Sequence, residues 1–270
     1  MVRSHPPGAA LEPYVERFWH CSGYDGIHRK ERVLPDGRFQ LVVSLSGAPL
    51  RAPSTTPAEP GRASGSLVLG MRSRFAVIDT ATLQSAMGVV FRPGGTRAFF
   101  DEPAAAFLNE SVPLDQVWGS AADDLRNRLR AASTVTSRFR ALEDALLQRI
   151  DVRRQLHAAV RYALREIARA SPGRSVLAVA REAGMSRRRF AQLFREQVGL
   201  TPKLYSRLAR FQRVLRTIGT GAAANWADLA LSGGFCDQPH LVHEFREFSG
   251  LAPGTYLASE RPAMNRVAMD

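Results

Sequence analysis

Two stretches decide how this chain is read. The first is Ala180-Arg-Glu-Ala-Gly-Met-Ser-Arg-Arg-Arg-Phe-Ala-Gln-Leu-Phe-Arg-Glu-Gln-Val-Gly-Leu-Thr-Pro-Lys-Leu-Tyr205. The second is Ala230-Leu-Ser-Gly-Gly-Phe-Cys-Asp-Gln-Pro-His-Leu-Val-His-Glu-Phe-Arg-Glu-Phe-Ser-Gly-Leu-Ala-Pro-Gly-Thr-Tyr256. At an offset of 51 residues, Phe194, Arg195, Glu196, Gly199, Leu200, Pro202 and Tyr205 recur as Phe245, Arg246, Glu247, Gly250, Leu251, Pro253 and Tyr256. Ala180 and Gly184 recur 50 residues on, as Ala230 and Gly234, so the second copy carries one extra residue. A period near fifty often marks a structural array, but two copies with one internal grammar indicate a paired supersecondary unit.

The grammar is helix, turn, helix. Residues 176–183 are predicted to form a short helix with Leu177 and Ala180 inward. Gly184 takes the positive φ of the turn without steric cost. Met185 wedges the angle and Ser186 caps the next helix through its hydroxyl. Phe190, Leu193 and Phe194 pack that helix back on the first. In the second copy the same parts fall to residues 226–231, Gly234, Phe235 and Asp237, with Leu241, Phe245 and Phe248 inward. Pro239 lies in the first helical turn, where its missing N–H costs little. Between the copies, residues 202–218 read as one long helix burying Leu204, Leu208, Phe211, Leu215 and Ile218, with Arg207, Arg210, Arg213 and Arg216 off that stripe. Two helix-turn-helix units on a rigid connector can meet successive major grooves of B-DNA, about 34–36 Å apart.

Outward from the repeat, residues 151–170 place Leu156, Ala159, Val160, Ala163, Leu164 and Ile167 on one helical stripe. The N-terminal half has another character. Strands are expected over 14–21, 41–45, 66–70, 75–78 and 86–91, with a turn at Leu34-Pro35-Asp36-Gly37 and a mobile loop over 49–65. Helical spacing is expected near 96–107, 121–132 and 137–150. The fold class is therefore α+β: a mixed, β-rich N-terminal domain (1–150), then an all-α domain with two helix-turn-helix units (151–260), then a tail (261–270).

Charge follows the same division. Residues 1–150 hold 18 Lys/Arg against 15 Asp/Glu, whereas 151–270 hold 19 against 10. A basic second half points to a polyanionic partner, nucleic acid before membrane. Within it, residues 172–219 hold 11 basic and 2 acidic residues, and residues 220–257 hold 1 and 4. The first unit is thus expected to supply most of the salt-dependent affinity.

Residues 152–258 resemble the DNA-binding domain of the AraC/XylS family of bacterial transcription regulators. The resemblance is carried chiefly by Gly233-Gly234-Phe235-Cys236-Asp237-Gln238-Pro239-His240-Leu241, then Phe245-Arg246, Gly250-Leu251-Ala252-Pro253 and Tyr256. The family often has Ser or Ala at the place of Pro239, and Thr or Ser at that of Ala252. The N-terminal half resembles a sensor-like domain of unassigned function, through residues 14–20, Leu34-Pro35-Asp36-Gly37 and Gly88-Val89-Val90-Phe91-Arg92-Pro93-Gly94-Gly95. The resemblance implies a transcription regulator acting on double-stranded DNA, with a small-molecule effector, homodimerisation, or both, assigned to the N-terminal domain. RNA polymerase is a partner open to the second unit.

The exposed N-terminal face of the second helix of each unit reads bases. Arg187, Arg188 and Gln192 are the expected base contacts of the first unit, Gln238 and His243 those of the second, with Ala191 and Val242 beside them. Arg174, Lys203 and Arg207 are expected on phosphates, and Arg195 and Arg246 on phosphates or paired with nearby acids. His240 is divided evenly between base contact and packing.

Other chemistries have little to stand on, so no catalytic residue, metal or cofactor is expected. Cys21 and Cys236 are isolated from any second thiol. A repair-type nucleophile at Cys21 lacks the surrounding motif. His5, His20 and His28 have irregular spacing for a metal set. Gly94-Gly95 lacks the Lys-Ser/Thr of a phosphate loop. Leu142, Ala145, Leu146 and Ile150 could form a dimer helix or pack on their own domain. No apolar run has the length of a membrane span and no apolar leader follows the N-terminus, so a cytoplasmic protein is expected.

Overall fold

The computed structural model describes residues 2–24, 28–55, 61–169, 180–220 and 225–269. The strands are β1 (Val2–His5), β2 (Val15–Ser22), β3 (Lys30–Val33), β4 (Gln40–Ser44), β5 (Leu50–Arg51), β6 (Ala63–Ser64), β7 (Ser66–Leu69), β8 (Ala76–Asp79), β9 (Ser85–Phe91), β10 (Ser111–Pro113) and β11 (Arg266–Met269). The helices are α1 (Asp115–Trp118), α2 (Ala121–Ala131), α3 (Val135–Leu147), α4 (Ala158–Arg169), α5 (Arg187–Val198), α6 (Pro202–Gly219), α7 (Trp226–Gly233), α8 (Gln238–Ser249) and α9 (Pro253–Ala258). A β-rich N-terminal half precedes a helical C-terminal half, as expected from the two hydrophobic periods.

An antiparallel sheet of order β1-β2-β9-β4-β7-β10 organises the N-terminal half. Its side chains alternate as a sheet covered on both faces requires. Leu41 and Val43 point into the main core with Phe18, Met87, Val89 and Phe91, while Val42 joins Leu50, Leu67 and Ala86 on the other face. The main core is continuous through both halves, from Leu11 and Phe18 to Phe211 and Phe245.

Several expectations change. Residues 96–107 form two short 3-10 turns, Gly95–Ala98 and Ala104–Phe107, in place of a helix. Pro103 interrupts any continuous helical register between them. The ends of the expected loop over 49–65 pair as the β5–β6 hairpin. Leu142, Ala145 and Leu146 are buried in their own core, which removes them from a dimer surface. Arg92-Pro93-Gly94-Gly95 is a tight turn: Gly94 adopts φ +79°, and Leu156 and the Tyr14 carbonyl fill the space beside the two glycines.

The largest change concerns the tail. Residues 266–269 form β11, which pairs antiparallel with β3, and β3 in turn pairs with β8. Segments from both ends of the chain therefore build one three-stranded sheet. The Lys-Glu-Arg-Val sequence of β3 shows no apolar alternation and β11 lies in the expected tail, so neither was read as a strand, whereas β8 falls on the strand expected over 75–78.

Candidate nucleic-acid interface

Both turns have the expected backbone. Gly184 (φ +66°) and Gly234 (φ +82°) sit in the left-handed region, which glycine adopts without a Cβ penalty. The next residue in each case closes back on the preceding helix: Met185 N–H donates to the Ala180 carbonyl at 2.9 Å, and Phe235 N–H to that of Ala230 at 2.8 Å. Ser186 accepts from Arg189 N–H and Asp237 from His240 N–H, so each second helix begins with a side-chain cap. Residues 180–182 are helical; Val176 and Leu177 lie outside the described residues.

The repeated aromatic residues serve packing. Phe194 lies edge-on to Tyr205 at 5.8 Å, and Phe245 edge-on to Tyr256 at 5.3 Å. Phe194 and Phe245 are both completely buried. Pro202 and Pro253 each open the helix that follows. Between the units, α6 is continuous over 18 residues, about 27 Å at 1.5 Å per residue.

Arg187, Arg188 and Gln192 are exposed on α5, and Gln238 and His243 on α8. Gln192 also donates to the Glu196 carboxylate at 2.8 Å. Arg195, Lys203 and Arg246 are exposed, as a phosphate contact requires. Arg174 lies outside the described residues. His240 stands edge-on to Phe235 at 5.4 Å, which gives it a packing role.

Arg207 is half-buried and paired. Its Nε donates to both carboxylate oxygens of Glu244, at 3.0 and 2.8 Å. That hydrogen bond raises its pKa further against the opposing effect of burial. Glu244 is only 5 % exposed, so its carboxylate lies inside the second unit with Arg207 as its ion-pair partner. Arg207 therefore ties the connecting helix to the second unit through its Nε. Arg210 and Arg213 act similarly. Arg210 lies over the Phe235 ring, and Arg213 donates to the Gly233 carbonyl at 3.4 Å. Burial, then the charges of Arg210 and Arg216, lower the Arg213 pKa. The sequence did hold one signal for the Arg207 pair: Glu244 lies three residues beyond Leu241 and four before Phe248, on the apolar face of α8.

The N-terminal residues considered for other chemistry have structural surroundings. His5 stacks on Phe139, the His20 ring meets Arg138, and His28 pairs with Glu260. Cys21 is buried, and burial pushes its thiol up, away from the reactive thiolate. Among the described residues, no helix is long and apolar enough to cross a membrane.

Leu34-Pro35-Asp36-Gly37 faces the connecting helix. Gln212 donates to the Pro35 carbonyl at 2.7 Å, and Gly37, at φ +72°, lies beneath Leu208 and Tyr205. Asp36 is raised by burial, opposed by neighbouring Arg38, and burial pushes Tyr205 up to about 12. This turn, unassigned by sequence, is one place where the β-rich half seats the helical half.

The fold and the two exposed helix faces define a tandem helix-turn-helix domain joined to a β-rich domain. Residues 179–259 match the family model described as a helix-turn-helix domain. Residues 3–113 match a domain of unknown function, DUF6597. No curated protein matches the chain. Among solved structures, the chain resembles ToxT from Vibrio cholerae O395 bound to (E)-4-(8-methylnaphthalen-1-yl)but-3-enoic acid. The identity is 12 %, covering 89 % of this chain and 97 % of that one, with a TM-score of 0.46. It also resembles unsaturated fatty acid bound wild-type ToxT from Vibrio cholerae strain SCE256, at 12 % identity, with 89 % and 93 % covered and a TM-score of 0.44.

Proposed function

We propose that this protein is a sequence-specific transcriptional regulator of the AraC type that binds double-stranded DNA and has no enzymatic activity. The observation carrying this reading is the pair of capped helices, α5 and α8, held on one continuous connector with their N-terminal faces open to solvent. Arg187, Arg188 and Gln192 read bases from the first unit, and Gln238 and His243 from the second. Arg174, Arg195, Lys203 and Arg246 hold phosphates. Arginine forks onto guanine and glutamine pairs with adenine, so these side chains suit major-groove reading.

The first unit anchors the complex electrostatically. The second extends the site or meets a protein partner such as RNA polymerase, with Asp228 and Glu247 among its exposed acidic residues. The N-terminal domain receives a small-molecule effector, and the protein works in the cytoplasm.

Selection of bound duplexes from a random pool by the full chain tests the reading. The expected outcome is an enriched site with two half-sites about one helical turn apart, bound with strong dependence on salt. Uniform binding to every duplex would sink sequence specificity. An effector is sought by its effect on the Tm of the full chain, through linkage. The full chain is needed because β11 completes a sheet with β3.

A further inference from the structure

The last carbonyls of a helix have no partner within it. In α8 two of them are satisfied from the N-terminal domain. Phe75 N–H donates to the Phe248 carbonyl at 2.9 Å, and Arg32 Nη1 donates to that of Ser249 at 2.8 Å. The Arg32 guanidinium lies 4.2 Å from the Phe75 ring centroid, so the two donors brace each other. Gly250 ends the helix at φ +68°, and a Cβ there would run into the Phe75 ring and the Arg32 guanidinium. The contact is therefore close as well as hydrogen-bonded.

Arg32 belongs to β3, whose outer edge carries β11, with Arg32 opposite Val267. Further hydrogen bonds fasten that strand and the residues leading into it. Glu31, fully buried, accepts from Arg266 at 3.2 Å and from the Tyr24 hydroxyl. Leu34 N–H donates to the Asn265 carbonyl at 2.9 Å, and the Tyr256 hydroxyl of α9 donates to that of Met264 at 2.8 Å. The chain thus leaves the second unit, crosses to the β-rich domain and locks the strand that holds the end of α8. The first unit is held elsewhere: Gln197 accepts from His157 N–H at 2.9 Å, and Gly199 rests against Phe39 and the Ala104 carbonyl.

We propose that Arg32, Phe75 and the strand Arg266–Met269 are positioning elements for the second reading helix, fixing its place relative to the first. The inference rests on the reading of α5 and α8 as base-reading helices. The seat grips α8 at its C-terminal end and leaves Gln238 and His243 exposed, so it orients the reading face without covering it. A prearranged second helix needs no ordering when DNA binds, and affinity at its half-site rises accordingly.

The test compares the full chain with Arg32→Ala and, from the far side of the sheet, Arg266→Gln. Amide hydrogen exchange is read over 187–199 and 238–250, and binding is read on the selected duplex with single base changes in each half-site. In the parent chain each wrong base is expected to cost on the order of tenfold in either half. In both variants that penalty should persist in the first half-site and shrink to about twofold in the second, the cost of an unfixed reader. Exchange should quicken over 238–250 and hold steady over 187–199. Equal losses in both half-sites, or unchanged exchange over 238–250, overturn the proposal. A parent chain that discriminates no bases defeats the DNA-reading assignment instead, while the exchange measurement still decides whether this seat holds α8.

Discussion

The two helix-turn-helix units share a skeleton and differ in almost everything fixed to it. Both turn on a left-handed glycine, cap the second helix with a side-chain oxygen and bury a phenylalanine against a tyrosine eleven residues later. Yet α5 begins with three exposed arginines, whereas α8 begins with Gln238, Pro239 and His240. The first unit's charge faces outward. The second holds a charge inside, Glu244, neutralised by an arginine of the connecting helix. Packing therefore dictates which residues repeat, and the surroundings of each copy dictate which do not.

If the shared skeleton is the right description, the deepest substitutions should cost the same in both copies. Phe194→Ala and Phe245→Ala should each lower stability by about 3–5 kcal/mol in denaturant unfolding. A difference of more than about half that range would show that one copy is only loosely packed.

The next effect separates the copies. Arg207→Ala strands the buried Glu244 carboxylate and should cost about 2–3 kcal/mol, whereas the double variant Arg207→Ala with Glu244→Leu should recover most of it. No recovery in the double variant would mean that Arg207 acts through its packing on Phe248 instead of its charge.

On DNA, Arg188→Ala and His243→Ala should each relax preference at one position, in opposite half-sites, by on the order of 1–3 kcal/mol. Loss spread evenly over all sequences would reassign either residue to a phosphate.

Tyr205 is raised from 10.0 to about 12, by burial first, so the fold favours its neutral form. Its contribution is complete below pH 10 and is lost as pH rises through about 12. Unfolding followed against pH should show a loss in that window that Tyr205→Phe removes; an identical profile in the variant would place the alkaline transition elsewhere.

The smallest effect concerns a cap. Thr201 caps α6 through its side chain, while Ala252, with nearly the same backbone angles, gives α9 no side-chain cap. Ala252→Thr should therefore stabilise the chain by about 1 kcal/mol, read as a rise in Tm. A fall would show that the position has no room for a branched side chain.

Much of the site was legible because a helix-turn-helix is built from local chemistry. Turn glycines, caps and apolar residues at helical spacing act within a few residues of each other, and the repeat displayed them twice. The exposed faces of α5 and α8 followed by subtraction. What escaped was polar chemistry between distant segments: Arg207 with Glu244, 37 residues apart, and Arg32 with the Ser249 carbonyl, 217 residues apart. An arginine that grips a phosphate and one that grips a buried carboxylate have the same one-letter code.

The sequence by itself determined two units, their turns, their caps and the long helix between them, since those depend on near-neighbour geometry and hydrophobic period. Only the tertiary structure decided what the ends of the chain do. β3 has one apolar residue, Val33, and β11 has Val267-Ala268-Met269 as a run without alternation, and each becomes a strand by hydrogen-bonding to the other across the molecule. That pairing depends on long-range backbone geometry, which leaves no local trace in side-chain order. It is also what turns an apparent tail into the strand that fastens the second helix-turn-helix unit to the rest of the protein.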